Sequence, residues 1–115
     1  MAKIYYGKGF LREFEKILDF HAKDKIQVAI HKLQMHGNNY GYPFQKPLVG
    51  ELKGLWELRP MPYRIIYFSV RDVIFVLGIL YIKQSDDMPM RERRRCMNFL
   101  REMLIWEREM KLKNS

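Results

Sequence analysis

The chain has 115 residues, 48% of them apolar and 14% aromatic, which suits a single domain with its own core and leaves little room for a second. One cysteine, Cys96, rules out an intramolecular disulfide, and the longest apolar run, 73–82, is far short of the roughly 20 residues a membrane helix requires. A net charge of +8 and a pI near 9.7 point to a polyanionic or acidic partner.

Lys3, Lys8 and Arg12 interrupt every apolar run at the N-terminus. No export signal is therefore read, and a cytoplasmic protein with no membrane partner is expected. Residues 3–6 alternate weakly and suit a short strand, closed by Gly7-Lys8-Gly9. Phe10, Leu11, Phe14, Ile17, Leu18 and His21 then recur at helical spacing, predicting a first amphipathic helix of about 12 residues. His21 closes that stripe, where a packing or capping histidine is commoner than a catalytic one. Asp24 is placed to cap a second helix that buries Ile26, Ala29, Ile30 and Leu33 and stops at Gly37.

Gly37, Gly41, Pro43, Pro47 and Gly50 make 37–53 a long connection carrying Lys46 and Lys53. Long ordered connections are often functional; equally, Tyr40, Tyr42 and Phe44 could simply cover the edge of the core. From Gly54 to Lys83 the chain reaches strand-like density of β-branched and aromatic residues. Pro60-Met61-Pro62 and Arg71-Asp72 divide it into three antiparallel strands, roughly 54–59, 63–70 and 73–82. On the middle strand Tyr63, Ile65, Tyr67 and Ser69 face one way, and Arg64, Ile66, Phe68 and Val70 the other. A strand apolar on both faces is covered on both, so helices should flank the sheet. Arg64 joins an apolar face, so it is either paired with a carboxylate, for which Glu57 is available, or aimed at an anionic ligand.

After Asp86-Asp87-Met88, Pro89 suits the first turn of a last helix over about 90–110. Its stripe is Cys96, Phe99, Leu100, Met103, Trp106 and Met110, with a frayed end expected over 111–115. Arg91, Arg93, Arg94 and Arg95 crowd its N-terminus, where the helix dipole disfavours each cation by about 0.3–1 kcal/mol. Either the run is a solvated basic face or something anionic compensates it.

Metal and cofactor chemistry find no ligand set here. One cysteine and the three histidines His21, His31 and His36 do not close a site, and no glycine-rich phosphate cradle occurs. Cys96 reads as a buried small hydrophobe. Arginine, lysine and tyrosine around a small sheet remain, and that set can cleave RNA. The 2′-hydroxyl is an internal nucleophile, which an enzyme need only orient while neutralising the phosphorane charge.

Lys46-Pro47-Leu48, Gly50, the run Gly54-Leu55-Trp56-Glu57-Leu58-Arg59 and the run Tyr63-Arg64-Ile65-Ile66-Tyr67-Phe68 together resemble the RelE/ParE toxin superfamily, and most closely its phage-derived HigB-like branch. The resemblance covers about 4–104. It implies an α+β, RelE-like fold over 1–115: a short N-terminal strand, two helices, a three-stranded antiparallel meander and a C-terminal helix. It further implies the toxin of a type II toxin–antitoxin system, with a helix-turn-helix antitoxin as partner and contact with operator DNA only through the complex. Most relatives cut messenger RNA on the ribosome, whereas the ParE branch poisons DNA gyrase.

Carried over by position, Arg64 and Arg59 would hold the scissile phosphate. The lysine pair usual after the last strand is reduced here to Lys83, in the run Tyr81-Ile82-Lys83-Gln84. Lys83 would stabilise charge or move a proton, and Tyr81 would stack or position. Lys46, Lys53, Arg91, Arg93, Arg94 and Arg95 would bind RNA backbone. The alternatives are a gyrase poison and a non-catalytic relative that keeps only nucleic-acid or antitoxin contacts.

Overall fold

The computed structural model describes residues 2–113. One sheet holds five strands in the order β1-β5-β4-β3-β2: β1 Lys3–Tyr6, β2 Gln45–Pro47, β3 Leu55–Leu58, β4 Tyr63–Val70 and β5 Ile74–Ile82. Strands β2 to β5 form an antiparallel meander, and β1 returns parallel to β5 at the far edge. The α+β class and the meander are as expected, but the meander has a fourth strand. It comes from the long connection, where Gln45, Lys46 and Pro47 pair with Leu58, Glu57 and Trp56.

Helices α1 (Lys8–Glu15) and α2 (Phe20–His36) cover one face of the sheet, and α3 (Met90–Lys113) the other. On the first face Phe10, Ile26, Ile30 and Leu33 pack against Ile65, Tyr67, Phe75, Leu77 and Leu80. On the second, Cys96, Phe99 and Leu100 pack against Ile66, Phe68, Val70, Val76 and Ile79. The alternation expected of β4 is therefore present, with Arg64 on the α3 side. No helix among the described residues is long and apolar enough to cross a membrane.

Two helix boundaries differ from the sequence expectation. Helix α1 ends at Glu15, closed by the Lys16 and Ile17 N–H groups donating to the Glu13 and Phe14 carbonyls. Asp19, not Asp24, caps α2: its Oδ1 accepts the His21 N–H at 2.9 Å. His21 thus opens the second helix rather than ending the first, and Leu18 is left almost fully exposed. A side-chain oxygen that satisfies a free helix N–H is worth about 1 kcal/mol, enough to restart the helix there. Helix α3 continues through Lys113, so 111–113 are helical; the expected fraying of Asn114 and Ser115 lies outside the described residues.

The turn over Arg71-Asp72 has positive φ at both residues, 53° and 58°, the backbone sense that matches the twist of a tight hairpin. Asp72 also accepts the Asn38 N–H at 2.8 Å. That bond joins a polar network which fixes the long connection. Gln45, 2% exposed, donates from Nε2 to the Gly37 carbonyl and to the Tyr67 hydroxyl. Tyr67 donates to Asn38 Oδ1, and Asn38 Nδ2 donates to Ser69 Oγ. Every member has a partner, so the network rigidifies β2 instead of weakening the core.

A bulge in β5 has the widest consequence. Ile66 pairs with Ile79 and Tyr67 with Leu77, which leaves Gly78 unopposed. One extra residue reverses the side-chain alternation beyond it. Leu77 faces α2 and Ile79 faces α3, so Leu80 returns to the α2 face and Tyr81 to the α3 face. A Cβ at Gly78 would lie 2.4–2.5 Å from the Phe99 ring. Gly78→Ala is accordingly expected to cost about 1–3 kcal/mol, seen as a lowered denaturant midpoint; unchanged stability would contradict the close approach of α3 to the bulge.

Candidate functional site

The bulge places Tyr81 directly opposite Arg64 across the β4–β5 ladder. On the other side, Glu57 opposes Ile66 on β4 and Lys46 on β2. Residues two apart on a strand share a face, so Lys46, Glu57, Arg64 and Tyr81 form a row across the sheet on the α3 side. They sit beyond the buried part of α3, beside Leu48, Met88 and Arg93. An open cleft of about 340 Å³ results, lined by this row together with Arg59, Lys83, Arg93 and the 84–89 segment.

Glu57 is the hub. Its Oε2 accepts from Arg59 Nε at 3.0 Å, and its Oε1 lies 3.5 Å from Arg64 Nε. Glu57 and Arg64 are 5% and 3% exposed. Arg64 Nη1 also donates to the Tyr63 carbonyl at 3.0 Å and contacts Met61 Sδ at 3.2 Å. Both possibilities raised for Arg64 therefore hold at once: it is paired with a carboxylate and it lines an open cleft. The Glu57 bridge aligns two guanidinium groups, a geometry suited to bidentate recognition of a tetrahedral oxyanion. Lys46, Arg59, Arg64, Lys83 and Arg93 outnumber Glu57, Asp86 and Asp87 along the walls.

Tyr81 is half-buried, and burial first, then the neighbouring Glu57, pushes its phenol up to about 12. Near neutral pH it is a hydroxyl donor. Burial likewise raises Tyr67 above its ordinary value. An unfolded tyrosine ionises near 10, before either of these, so both favour the folded state below pH 10 and lose that contribution as pH rises toward 12. An alkaline titration of tyrosine absorbance should show Tyr81 and Tyr67 delayed until unfolding begins; ionisation of both near 10 in the folded chain would contradict it.

Of the ten residues expected at the site, Arg64, Arg59, Lys83, Tyr81, Lys46 and Arg93 meet in this cleft. Arg91 and Arg95 instead line an adjoining depression that shares Tyr81, Gln84 and Pro89 with it. Lys53 and Arg94 are exposed and line neither. Two of the crowded arginines have carboxylates: Arg95 binds Glu92 at 2.8 Å, and Arg93 lies 3.9 Å from Glu51. Such pairs at or near the surface contribute about 0–1 kcal/mol each, of the same size as the dipole penalty they offset. Sequence inspection missed Gln84, Asp86 and Asp87 as cleft residues, since an acidic turn after a strand reads as a solvated loop. Cys96 is fully buried, its thiol pushed up to about 12 chiefly by that burial, which suits packing and not nucleophilic attack. Among the described residues no cluster of histidine, cysteine, aspartate and glutamate could hold a metal ion.

A small α+β scaffold with an N-terminal strand, an antiparallel meander and helices on both faces is the fold of RelE-like toxins. Residues 11–100 match the family described as phage-derived protein Gp49-like (DUF891), and the chain belongs to that family. An uncharacterised protein of Aquifex aeolicus (strain VF5) is 25% identical over 113 residues, 89% of this chain and 80% of that one. Among solved structures, the YoeB/ParE toxin from Agrobacterium tumefaciens superposes with a TM-score of 0.61 at 18% identity, over 72% of this chain and all of that one. The YoeB–YefM complex from Staphylococcus aureus gives 0.60 at 13% identity, over 73% and 99%. The RelBE2 toxin–antitoxin complex from Mycobacterium tuberculosis gives 0.59 at 18% identity, over 71% and 98%. At these identities the solved structures establish the shared fold.

Proposed function

We propose that this chain is the toxin of a type II toxin–antitoxin pair and that it cleaves messenger RNA on the ribosome. The observation that carries this reading is the pair of arginines aligned by one buried glutamate beside a protonated tyrosine, in an open cleft of net positive charge. Arg64 and Arg59 bind the non-bridging oxygens of the scissile phosphate while the 2′-hydroxyl attacks in line and gives its proton to solvent water; the P–O2′ bond forms, the P–O5′ bond breaks, and a 2′,3′-cyclic phosphate and a protonated 5′-hydroxyl result. Charge builds on the phosphorane oxygens, where prealigned guanidinium groups act most strongly. Lys83, whose N–H extends the ladder by donating to the Pro62 carbonyl at 2.9 Å, supplies further charge or a proton. Tyr81 donates its hydroxyl to the leaving oxygen or stacks on a base. Lys46 and Arg93 hold the flanking backbone, and Arg91 and Arg95 extend the basic track past Tyr81. The partner is a helix-turn-helix antitoxin, through which operator DNA is contacted, and the setting is the cytoplasm.

The reduced lysine pair favours a second reading, a gyrase poison without nuclease chemistry. Inducible expression without a partner, with messenger RNA ends mapped during translation, separates the two. Cleavage inside translated frames that disappears in Arg64→Ala supports the nuclease; growth arrest with intact messages and broken DNA supports the gyrase poison; absence of toxicity overturns both.

A further inference from the structure

The depression beyond Tyr81 differs chemically from the cleft it adjoins. It measures about 670 Å³ and lies between the loop joining α1 to α2, the end of β5 and the first turns of α3. Its walls set three cations, Lys16, Arg91 and Arg95, against three carboxylates, Glu13, Asp19 and Glu92. That balance attracts a phosphate chain far less than the cleft does. Its apolar side chains are open to solvent: Leu18 is 91% and Ile82 47% exposed. A neutral space with apolar walls and a few fixed polar groups suits an uncharged planar ligand. Tyr81, Gln84 and Pro89 line both concavities, so the depression continues directly from the cleft.

One ion pair fixes the polar wall. Arg95 Nη1 donates to Glu92 Oε2 at 2.8 Å, and the two side chains are 27% and 13% exposed. Glu92 stands in the first turn of α3. Its charge adds to the burial and the Glu57 charge that raise the Tyr81 phenol, which places it close to that ring. The bond between them uses one of five guanidinium N–H groups and one of about four carboxylate lone pairs. Side by side, the pair presents a donor followed by two acceptors. Guanine carries the complement on its Watson–Crick edge, an acceptor at O6 and then donors at N1 and N2. No other base matches all three positions: adenine and cytosine carry one amine each, and uracil one N–H between two carbonyls.

We infer that this depression seats the base on the leaving side of the scissile phosphate, and that the Glu92–Arg95 pair selects guanine there. The inference rests on the nuclease reading and names the specificity of the same site. Tyr81 stands at the junction of the two concavities. With its hydroxyl toward the leaving oxygen, the nucleoside that carries this oxygen lies on its far side, over the depression. The base packs on Leu18 and Ile82 and removes their apolar surface from water. Arg95 donates to O6, and Glu92 accepts from N1 and N2 in a charge-assisted fork. Arg95 thus serves the basic track through a base edge, and Arg91, exposed on the same wall, meets the next phosphate.

The test measures, by fluorescence anisotropy, the affinity of the full chain for 2′-fluoro oligouridylates carrying one central guanine, adenine, cytosine or hypoxanthine. The fluorine replaces the nucleophile, so binding is read without cleavage. The guanine oligomer should bind at least about tenfold more tightly than the all-uracil one, the scale of one bidentate base contact. Hypoxanthine, which lacks the N2 amine, should lose about fivefold of that advantage, and 7-deazaguanine, altered only away from the Watson–Crick edge, should keep it. Glu92→Gln should bring the guanine and uracil affinities within about twofold of each other. Glu109→Gln, the same loss of charge far along α3, should retain the preference. Equal affinity for guanine and uracil, tighter binding of adenine or cytosine, or no loss with hypoxanthine overturns the inference. So does a loss with 7-deazaguanine, or a preference that survives Glu92→Gln. The hypoxanthine comparison uses the unaltered chain, so it decides the matter even where Glu92→Gln does not fold. A guanine preference in a chain that cuts no message sinks the nuclease reading and leaves the base site intact. Cleavage of messages with no excess of guanine at the new 5′ ends does the reverse.

Discussion

Replacing Arg64 with alanine is expected to lower messenger RNA cleavage by about 10²–10³-fold while leaving the chain folded. The guanidinium is held by Glu57, the Tyr63 carbonyl and Met61 Sδ, so it is oriented before substrate arrives, and prealigned donors give the largest return at the transition state. The structural cost is moderate because Glu57 is not orphaned: Arg59 still donates to it at 3.0 Å. A loss of about 1–3 kcal/mol in unfolding free energy follows, the scale of one broken buried hydrogen bond to a charged group. Arg64→Lys keeps the charge but not the planar fork, and should recover only part of the activity. End mapping of a translated message gives the rate and urea denaturation the stability. Cleavage by a folded Arg64→Ala chain at the wild-type rate would remove the phosphate role.

Glu57→Ala is expected to be the most destabilising single change in the cleft, by about 3–5 kcal/mol. It strips the partner from Arg64, which is 3% exposed, and leaves two guanidinium groups facing each other with no charge between them. Against a total stability of about 5–15 kcal/mol for a domain of this kind, that loss brings the chain near the threshold of folding. Glu57→Gln keeps an acceptor for the arginines but not the charge, and should fall between. The decisive measurement is the double variant Glu57→Ala/Arg64→Ala. Removing the orphaned charge as well relieves its burial, so the double variant should be more stable than Glu57→Ala alone. Simple addition of the two losses would show that Glu57 and Arg64 are not energetically coupled.

Much of this was legible from local pattern. The three expected meander strands, the Arg71-Asp72 turn and the two faces of β4 follow from alternation and breakers, which act within a few residues. The buried stripe of α3 is marked by Cys96, Phe99 and Leu100, all of which the structure buries. Strand β2 was not legible, because three residues with a proline carry no periodicity; Gln45 is held there by Gly37 and Tyr67, partners distant in sequence. Nor was the break before Asp19, since Leu18 continues the apolar spacing although nothing packs over it.

The sequence by itself determined the class of fold and the candidate arginines, since these depend on residue type and short-range order. Only the tertiary structure decided which of the cations line one cleft. Arg64, Glu57 and Arg59 come together because β3 and β4 pair in one register, and Lys46 joins them because a buried network holds β2 against that edge. Tyr81 faces Arg64 because Gly78 sits unopposed under Phe99 and reverses the alternation of the last strand. The lone Gly78 marks where a bulge can fall, but the apolar run on both sides of it carries no alternation from which the reversal could be read.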